Sequence, residues 1–173
     1  KSKKIKIVSC YSKSKKKRID FSKKYKTHYH DSFKAILKDP KINAVILTTP
    51  HSLHAKHAIQ ALQHGKHVFV EKPMATKYLD AKKMYLTAKK YKKILSVGHN
   101  RRYSSVSDFI NNLNRQKKIG KILHIDSNFS APGALNYKKK FWRASRKESP
   151  GGAIAGLGIH MIDLMCFFGG QVK

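Results

Sequence analysis

Acidic residues are scarce in this 173-residue chain: nine Asp and Glu stand against 38 Lys and Arg, a formal net charge of +29. Such a field attracts polyanions and steers phosphorylated ligands. Arginine is scarce too, because only Arg18, Arg101, Arg102, Arg115, Arg143 and Arg146 are guanidinium carriers. Readers of base edges lean on Arg, whereas Lys acts mostly as a point charge. The lysines also scatter over every predicted helix instead of forming one stripe, so no specific nucleic-acid partner is expected. Cysteine is limited to Cys10 and Cys166, both in apolar contexts. That rules against a disulfide framework and suits buried thiols in a reducing compartment. No apolar run reaches the ~18 residues a membrane span needs, and no signal-peptide pattern opens the chain. A cytoplasmic protein without a membrane partner is the expectation. With 40% hydrophobic residues, a core of ordinary size remains affordable.

What is present reads as strands followed by crossover helices. Lys4 to Cys10 reads as a strand, then Lys15 to Tyr25 as a basic helix anchored by Ile19 and Phe21. A short strand near Thr27–His30 precedes a helix capped by Asp31 or Ser32 and closed before Pro40. Ala44–Leu47 reads as a buried strand, followed by a helix that Ser52 caps and Gly65 ends, with Ala55, Ala58, Ile59 and Leu62 on its apolar stripe. His67–Val70 is the next buried strand. Thr76 is placed as the cap of a helix striped by Ala81, Met84, Tyr85 and Ala88. Ile94–Val97 is a further strand, and Val106, Phe109, Ile110 and Leu113 mark a helix stopping at Gly120. Repeated strand–helix alternation means a parallel, doubly wound α/β sheet. Past Gly120, Leu123, Ile125 and Phe129 alternate with polar residues, the mark of a strand in an antiparallel sheet. The last helix spans about Gly152 to Phe168, with Ile154, Leu157, Met161, Met165 and Phe168 on one stripe and Gly156, His160 and Asp163 opposite. Two units are expected: residues 1–119, and residues 120–173 as the start of an α+β domain.

The stretch Gly65-Lys66-His67-Val68-Phe69-Val70-Glu71-Lys72-Pro73 organises the rest. Its strand delivers Glu71 and Lys72 to the carboxyl edge, where ligands bind in open α/β sheets. Spacing alone leaves two readings, a solvated ion pair before a turn or a lysine placed for chemistry. His51, His54 and His57 do not form a metal site, because no Cys or carboxylate accompanies them and a 3-3 spacing spreads them around the helix. Ser12 and Lys13 occupy the place where a dinucleotide fold carries an acidic ribose ligand. Either they welcome a 2′-phosphate or they are a polar loop of a lysine-rich protein.

The stretch Gly-Lys-His-Val-x-x-Glu-Lys-Pro resembles the signature of the Gfo/Idh/MocA oxidoreductases, relatives of glucose–fructose oxidoreductase and inositol dehydrogenase. The resemblance continues through Thr48-Thr49-Pro50-His51-Ser52-Leu53-His54-Ala55, Gly98-His99-Asn100-Arg101-Arg102-Tyr103, Trp142-Arg143, and Gly151-Gly152-Ala153 leading to Gly158-Ile159-His160-Met161-Ile162-Asp163. It implies a partial Rossmann-type domain and hydride transfer between NADP or NAD, with NADP favoured, and a hydroxyl-bearing carbon of a sugar or cyclic polyol. By the same resemblance Lys72 and His160 are catalytic. Thr49, Pro50, His54, Glu71, Lys72 and Asn100 line the cofactor, joined by Ser12 and Lys13. Arg101, Trp142, Arg143 and Asp163 face the substrate, and the parent protein is a homo-oligomer. Two departures stand out. Gly156 replaces the aspartate that commonly precedes the histidine by one turn. No Gly-x-Gly-x-x-Gly turn precedes the first strand, although that turn normally cradles the pyrophosphate. The chain also opens without Met, and so reads as an internal piece lacking the first βα unit, expected to bind cofactor poorly by itself. A catalytically silent nucleotide or sugar sensor and a polyanion-binding module are the competing classes.

Overall fold

A computed structural model describes residues 5–132, 136–138, 141–170 and 172. The chain builds two parallel sheets. In the first, β1 (Ser9–Cys10) pairs with β2 (His28–Tyr29) across α1 (Lys15–Tyr25). In the second, β3 (Ala44–Leu47), β4 (His67–Val70) and β5 (Leu95–Val97) lie in that order, joined by α3 (His51–Gln63) and α4 (Tyr78–Lys90). The short helix α2 (Phe33–Lys38) connects the sheets, and Ser32 caps it by accepting the Ala35 N–H at 3.1 Å. No ladder joins β1 to β3 among the described residues. The parallel arrangement follows from helical crossovers, which return each strand in the same direction.

The core lies between one face of the three-stranded sheet and its helices. Val45, Leu47, Val68 and Val70 pack with Ala58, Ala61 and Leu62 of α3 and with Met84 and Ala88 of α4. Burying each larger side chain contributes about 1.5–3 kcal/mol. Helix α3 ends in a two-bond turn in which Lys66 N–H reaches Ala61 O and Gly65 N–H reaches Leu62 O, both at 3.0 Å. That turn requires a left-handed residue, and Gly65 supplies it at φ +74°. The chain then enters β4, so this turn sets the register of the strand that carries Lys72.

Several expectations are corrected. The first strand is short because Thr27 N–H bonds Ser22 O to close α1, leaving the Thr27 hydroxyl to serve Ile7 O. Lys4 lies outside the described residues. Ser52 and Thr76 are not caps: α3 starts at His51 after Pro50, and α4 starts at Tyr78 after Lys77. The strands β3 and β4 are buried on one face only, since Ile46 and Phe69 point outward. In α5 (Ser105–Arg115) the apolar stripe is largely uncovered, with Val106 65% and Phe109 63% exposed. The strand expected over Leu123–Phe129 does not form, and Leu123 is 87% exposed. A strand needs a ladder partner, and none lies beside it among the described residues. The final helix is α6 (Ile159–Gly169), preceded by a wider turn of five-residue period over Ile154–Gly158. That turn resets the helical face that simple periodicity assigned. Cys10 and Cys166 are free thiols, half-buried and not enclosed in the core.

Candidate functional site

Strand β4 ends at Val70 and projects Glu71 and Lys72 beyond the sheet. The Glu71 carboxylate lies against the end of β5, where a Cβ on Gly98 would stand 3.2 Å from Glu71 Oε1. A side chain at position 98 would crowd the Glu71 carboxylate. Lys72 Nζ donates to Gly156 O at 2.6 Å, linking β4 to the wide turn before α6. Such turns recur at functional sites because they change where backbone groups point. Burial pushes the Lys72 ammonium below its usual range, and the charges of Arg143 and Arg101 push the same way against the pull of Glu71.

His160 sits one helical turn beyond Gly156, buried, with its Nδ1 left without a hydrogen-bond partner. Burial holds its pKa below the ordinary value, reinforced by Lys72, Arg101 and His99 and opposed by Asp163. The amine and the imidazole therefore share one environment. The Phe129 ring packs edge-on to His160 at 6.3 Å, and the Arg101 guanidinium lies 4.8 Å above that same ring. Asp163, expected at the substrate, is buried and gripped by Arg102 through two bonds of 2.7 and 2.6 Å. Its oxygens are engaged with Arg102, and His99 lies 3.7 Å away. Asp163 thus acts on the site as a buried, neutralised charge.

The opposite wall is built from the start of α3. His54, expected to line the cofactor, is fully buried between Pro73 O at 2.8 Å and Thr49 O at 2.9 Å. An imidazole donates through whichever ring nitrogen carries hydrogen. His54 thus bridges the two strand-end turns, with its ring enclosed by protein. Thr49 Oγ1 is buried without a partner, while Pro50 is half-buried at the head of α3. His51 reaches Glu148 O through Nδ1 at 2.6 Å, and its ring meets Trp142 edge-on at 4.9 Å. The Glu148 carboxylate accepts from Ser52 N–H at 2.8 Å and from the Ser52 hydroxyl at 2.6 Å. A residue 96 positions away thus caps α3 in place of the expected Ser52. Burial raises the Glu148 pKa, but the two Ser52 bonds outweigh it and hold the carboxyl below its usual range. Arg143 stacks 4.6 Å over Trp142.

Lys72 lies within electrostatic reach of Arg101 and Arg143, and His160 within reach of Lys72 and Arg101, with Trp142 beneath Arg143. Ser12 and Lys13 instead lie at the end of β1, where Ser12 O accepts from Arg18 at 2.8 Å and Lys13 is exposed. Asn100 is exposed at the head of the short turn Asn100–Tyr103. Sequence reasoning missed Glu148, and it quoted Arg102 and His99 only within a motif. A lone carboxylate in a chain so poor in acids was the available signal for Glu148. The residues fit a nicotinamide cofactor: buried polar atoms of Thr49 and His160 lack partners, at the carboxyl edge of a parallel sheet.

A family model described as the oxidoreductase family with an NAD-binding Rossmann fold matches residues 1–99, and the GFO/IDH/MocA C-terminal domain matches residues 110–173. The chain belongs to the Gfo/Idh/MocA oxidoreductase family. A Gfo/Idh/MocA relative, glucose-6-phosphate 3-dehydrogenase of Bacillus subtilis, is 36% identical over 71% of this chain and 35% of its own length. Oxidoreductase P35 of Formosa agariphila is 29% identical over 96% of this chain and 53% of its own. A crystal structure from Desulfitobacterium hafniense, named for NADPH-dependent oxidoreductases, superposes with a TM-score of 0.89 at 32% identity, covering 96% of this chain and 48% of that one. Levoglucosan dehydrogenase in complex with NADH and levoglucosan shares the fold, with a TM-score of 0.81 at 24% identity over 95% of this chain and 45% of that one. The chain therefore spans about half or less of these relatives' lengths. Among the described residues no helix is long and apolar enough to cross a membrane.

Proposed function

We propose that this chain contributes the reacting half of an enzyme that oxidises a hydroxyl-bearing carbon of a sugar or cyclic polyol, or runs the reverse reduction. The observation that carries this reading is the 2.6 Å bond from Lys72 Nζ to Gly156 O, which brings the ammonium to the wide turn leading into α6 and its His160. A nicotinamide bound at the strand ends supplies the hydride acceptor. The protein's residues supply the proton chemistry. Lys72, positively charged and partly desolvated, lies where it stabilises an alkoxide developing on the substrate. His160, its pKa lowered by burial, accepts the hydroxyl proton; its Nδ1 is buried without a hydrogen-bond partner of its own. Arg101, Trp142 and Arg143 are the walls of the substrate side, while Thr49, Pro50, Glu71 and Asn100 border the cofactor.

The names of relatives that act on glucose 6-phosphate and on levoglucosan support a sugar as the substrate class. NADP is the favoured cofactor, because Ser12 and Lys13 present a hydroxyl and an ammonium where a carboxylate would repel a 2′-phosphate. We place the junction between the two units, residues 1–119 and 120–173, at Gly120, and its φ of +67° just past α5 supports a turn there. The test is label transfer. With NADP and a panel of sugars deuterated at each carbinol carbon, deuterium should move to the nicotinamide from one position of one substrate. Reduction of the cofactor without label transfer, or no reduction with any polyol, would overturn the reading.

A further inference from the structure

The charges around Lys72 do not balance. The chain has nine Asp and Glu residues, and the three that border the site are committed: Asp163 to Arg102, Glu148 to Ser52, and Glu71 to the Lys72 backbone N–H at 3.3 Å. Arg101 and Arg143 form no ion pair or side-chain hydrogen bond among the described residues. Each is instead seated on an aromatic ring, Arg101 at 4.8 Å over Phe129 and Arg143 at 4.6 Å over Trp142. The rings are themselves fixed. Phe129 packs against His160, and Trp142 packs against His51, whose Nδ1 bonds Glu148 O. Two planar guanidinium groups are therefore held by stacking, one on the histidine side and one on the α3 side, with their donors unspent. Both arginines are exposed, and such paired N–H forks hold an anion more strongly than a neutral hydroxyl.

We propose that the substrate is an anionic sugar, phosphorylated or carboxylated, whose anion is held by Arg101 and Arg143 while its reacting carbinol faces Lys72. The proposal rests on the hydride-transfer reading above and names the substrate class of that same site. It also explains why two arginines can stand near a lysine that must keep its proton: the bound anion offsets them as the complex forms. The strongly basic surface then acts as a steering field for such ligands.

The experiment compares binding of glucose, glucose 6-phosphate and glucuronate by calorimetry at fixed NADP and ~0.15 M salt, where surface attraction is screened beyond ~8 Å. At least one anionic sugar should bind about tenfold or more tightly than glucose, the gain expected of charge-assisted bonds. A gain for glucose 6-phosphate alone identifies a phosphate, and a gain for glucuronate alone a carboxylate. The gain should vanish in Arg101→Gln/Arg143→Gln, survive in part in Arg101→Lys, and persist in the surface variant Lys90→Gln. Circular dichroism confirms that each variant is folded. Equal affinity for glucose and both anions overturns the proposal, as does an anion preference untouched by the arginine substitutions. Deuterium transfer from any sugar of the labelled panel in that case leaves the hydride reading standing, whereas its absence from the whole panel removes both.

Discussion

Truncating Glu148 to Ala removes the one carboxylate that holds the 142–148 segment to α3. Two bonds from Ser52 are lost, at 2.8 and 2.6 Å, and the first turn of α3 loses its negative partner. A lost cap costs about 0.5–2 kcal/mol, and a bond to a charged group about 1.5–3 kcal/mol. Ser52 is half-buried, so water replaces part of each bond. The net cost is then about 2 kcal/mol, and about half that for Glu148→Gln, which keeps an acceptor and loses the charge. Urea unfolding reads this directly, since a slope of about 1–3 kcal/mol per molar turns it into a midpoint shift near 1 M. The chain has a single tryptophan, and Trp142 packs on His51 beside the lost contact. Its emission should move toward that of a solvated indole in Glu148→Ala. There is also an acid signature. The Glu148 pKa is lowered in the fold from an ordinary value of 4.5, so its contribution is complete above that value and fades as pH falls through the folded pKa. The alanine variant should lack that part of the acid transition. A stability change below about 0.5 kcal/mol, with Trp142 emission unmoved, would refute the reasoning.

Three further outcomes follow from the same contacts. Gly156 has open space around the position a Cβ would take, so Gly156→Asp should fold and raise the His160 pKa, shifting the acid limb of the pH–rate profile upward. Burial depresses the pKa of His51, His57, His99 and His160 below 6.5, so the unfolded chain binds protons first and stability should fall as pH drops below 6.5. This is checked by thermal melts between neutral and mildly acidic pH. Lys92 closes α4 in the left-handed region at φ 52°, where glycine pays no steric penalty. Lys92→Gly should therefore raise stability by roughly 0.5–1 kcal/mol in chemical denaturation.

The elements most legible in the sequence are those decided locally. β3, β4 and α1 begin and end where short β-branched runs and helical periodicity put them, because the strand–helix alternation fixes both their lengths and their direction. What was illegible depends on partners far along the chain. Ser52 looks like a cap by type, yet Glu148 takes that role from 96 residues away. Lys72 was identified by its motif, but its partner is the backbone carbonyl of Gly156, which no side-chain pattern announces. The alternation over Leu123–Phe129 is a true strand pattern without a neighbour to complete a ladder, and the stripe on α5 is a true amphipathic face left open. Periodicity reports what a segment can bury, whereas the chain as a whole decides whether it is buried.

The central claim is that the Lys72 ammonium works on the reacting oxygen and does not merely brace the fold. Single-turnover reduction of NADP by the enzyme's sugar substrate, compared between the native protein and Lys72→Met, tests it most directly. A rate loss of about 10²–10³-fold is predicted, the usual worth of a group that stabilises charge developing on oxygen, with cofactor affinity unchanged. Equal losses in rate and cofactor affinity, or a rate close to that of the native protein, would contradict it.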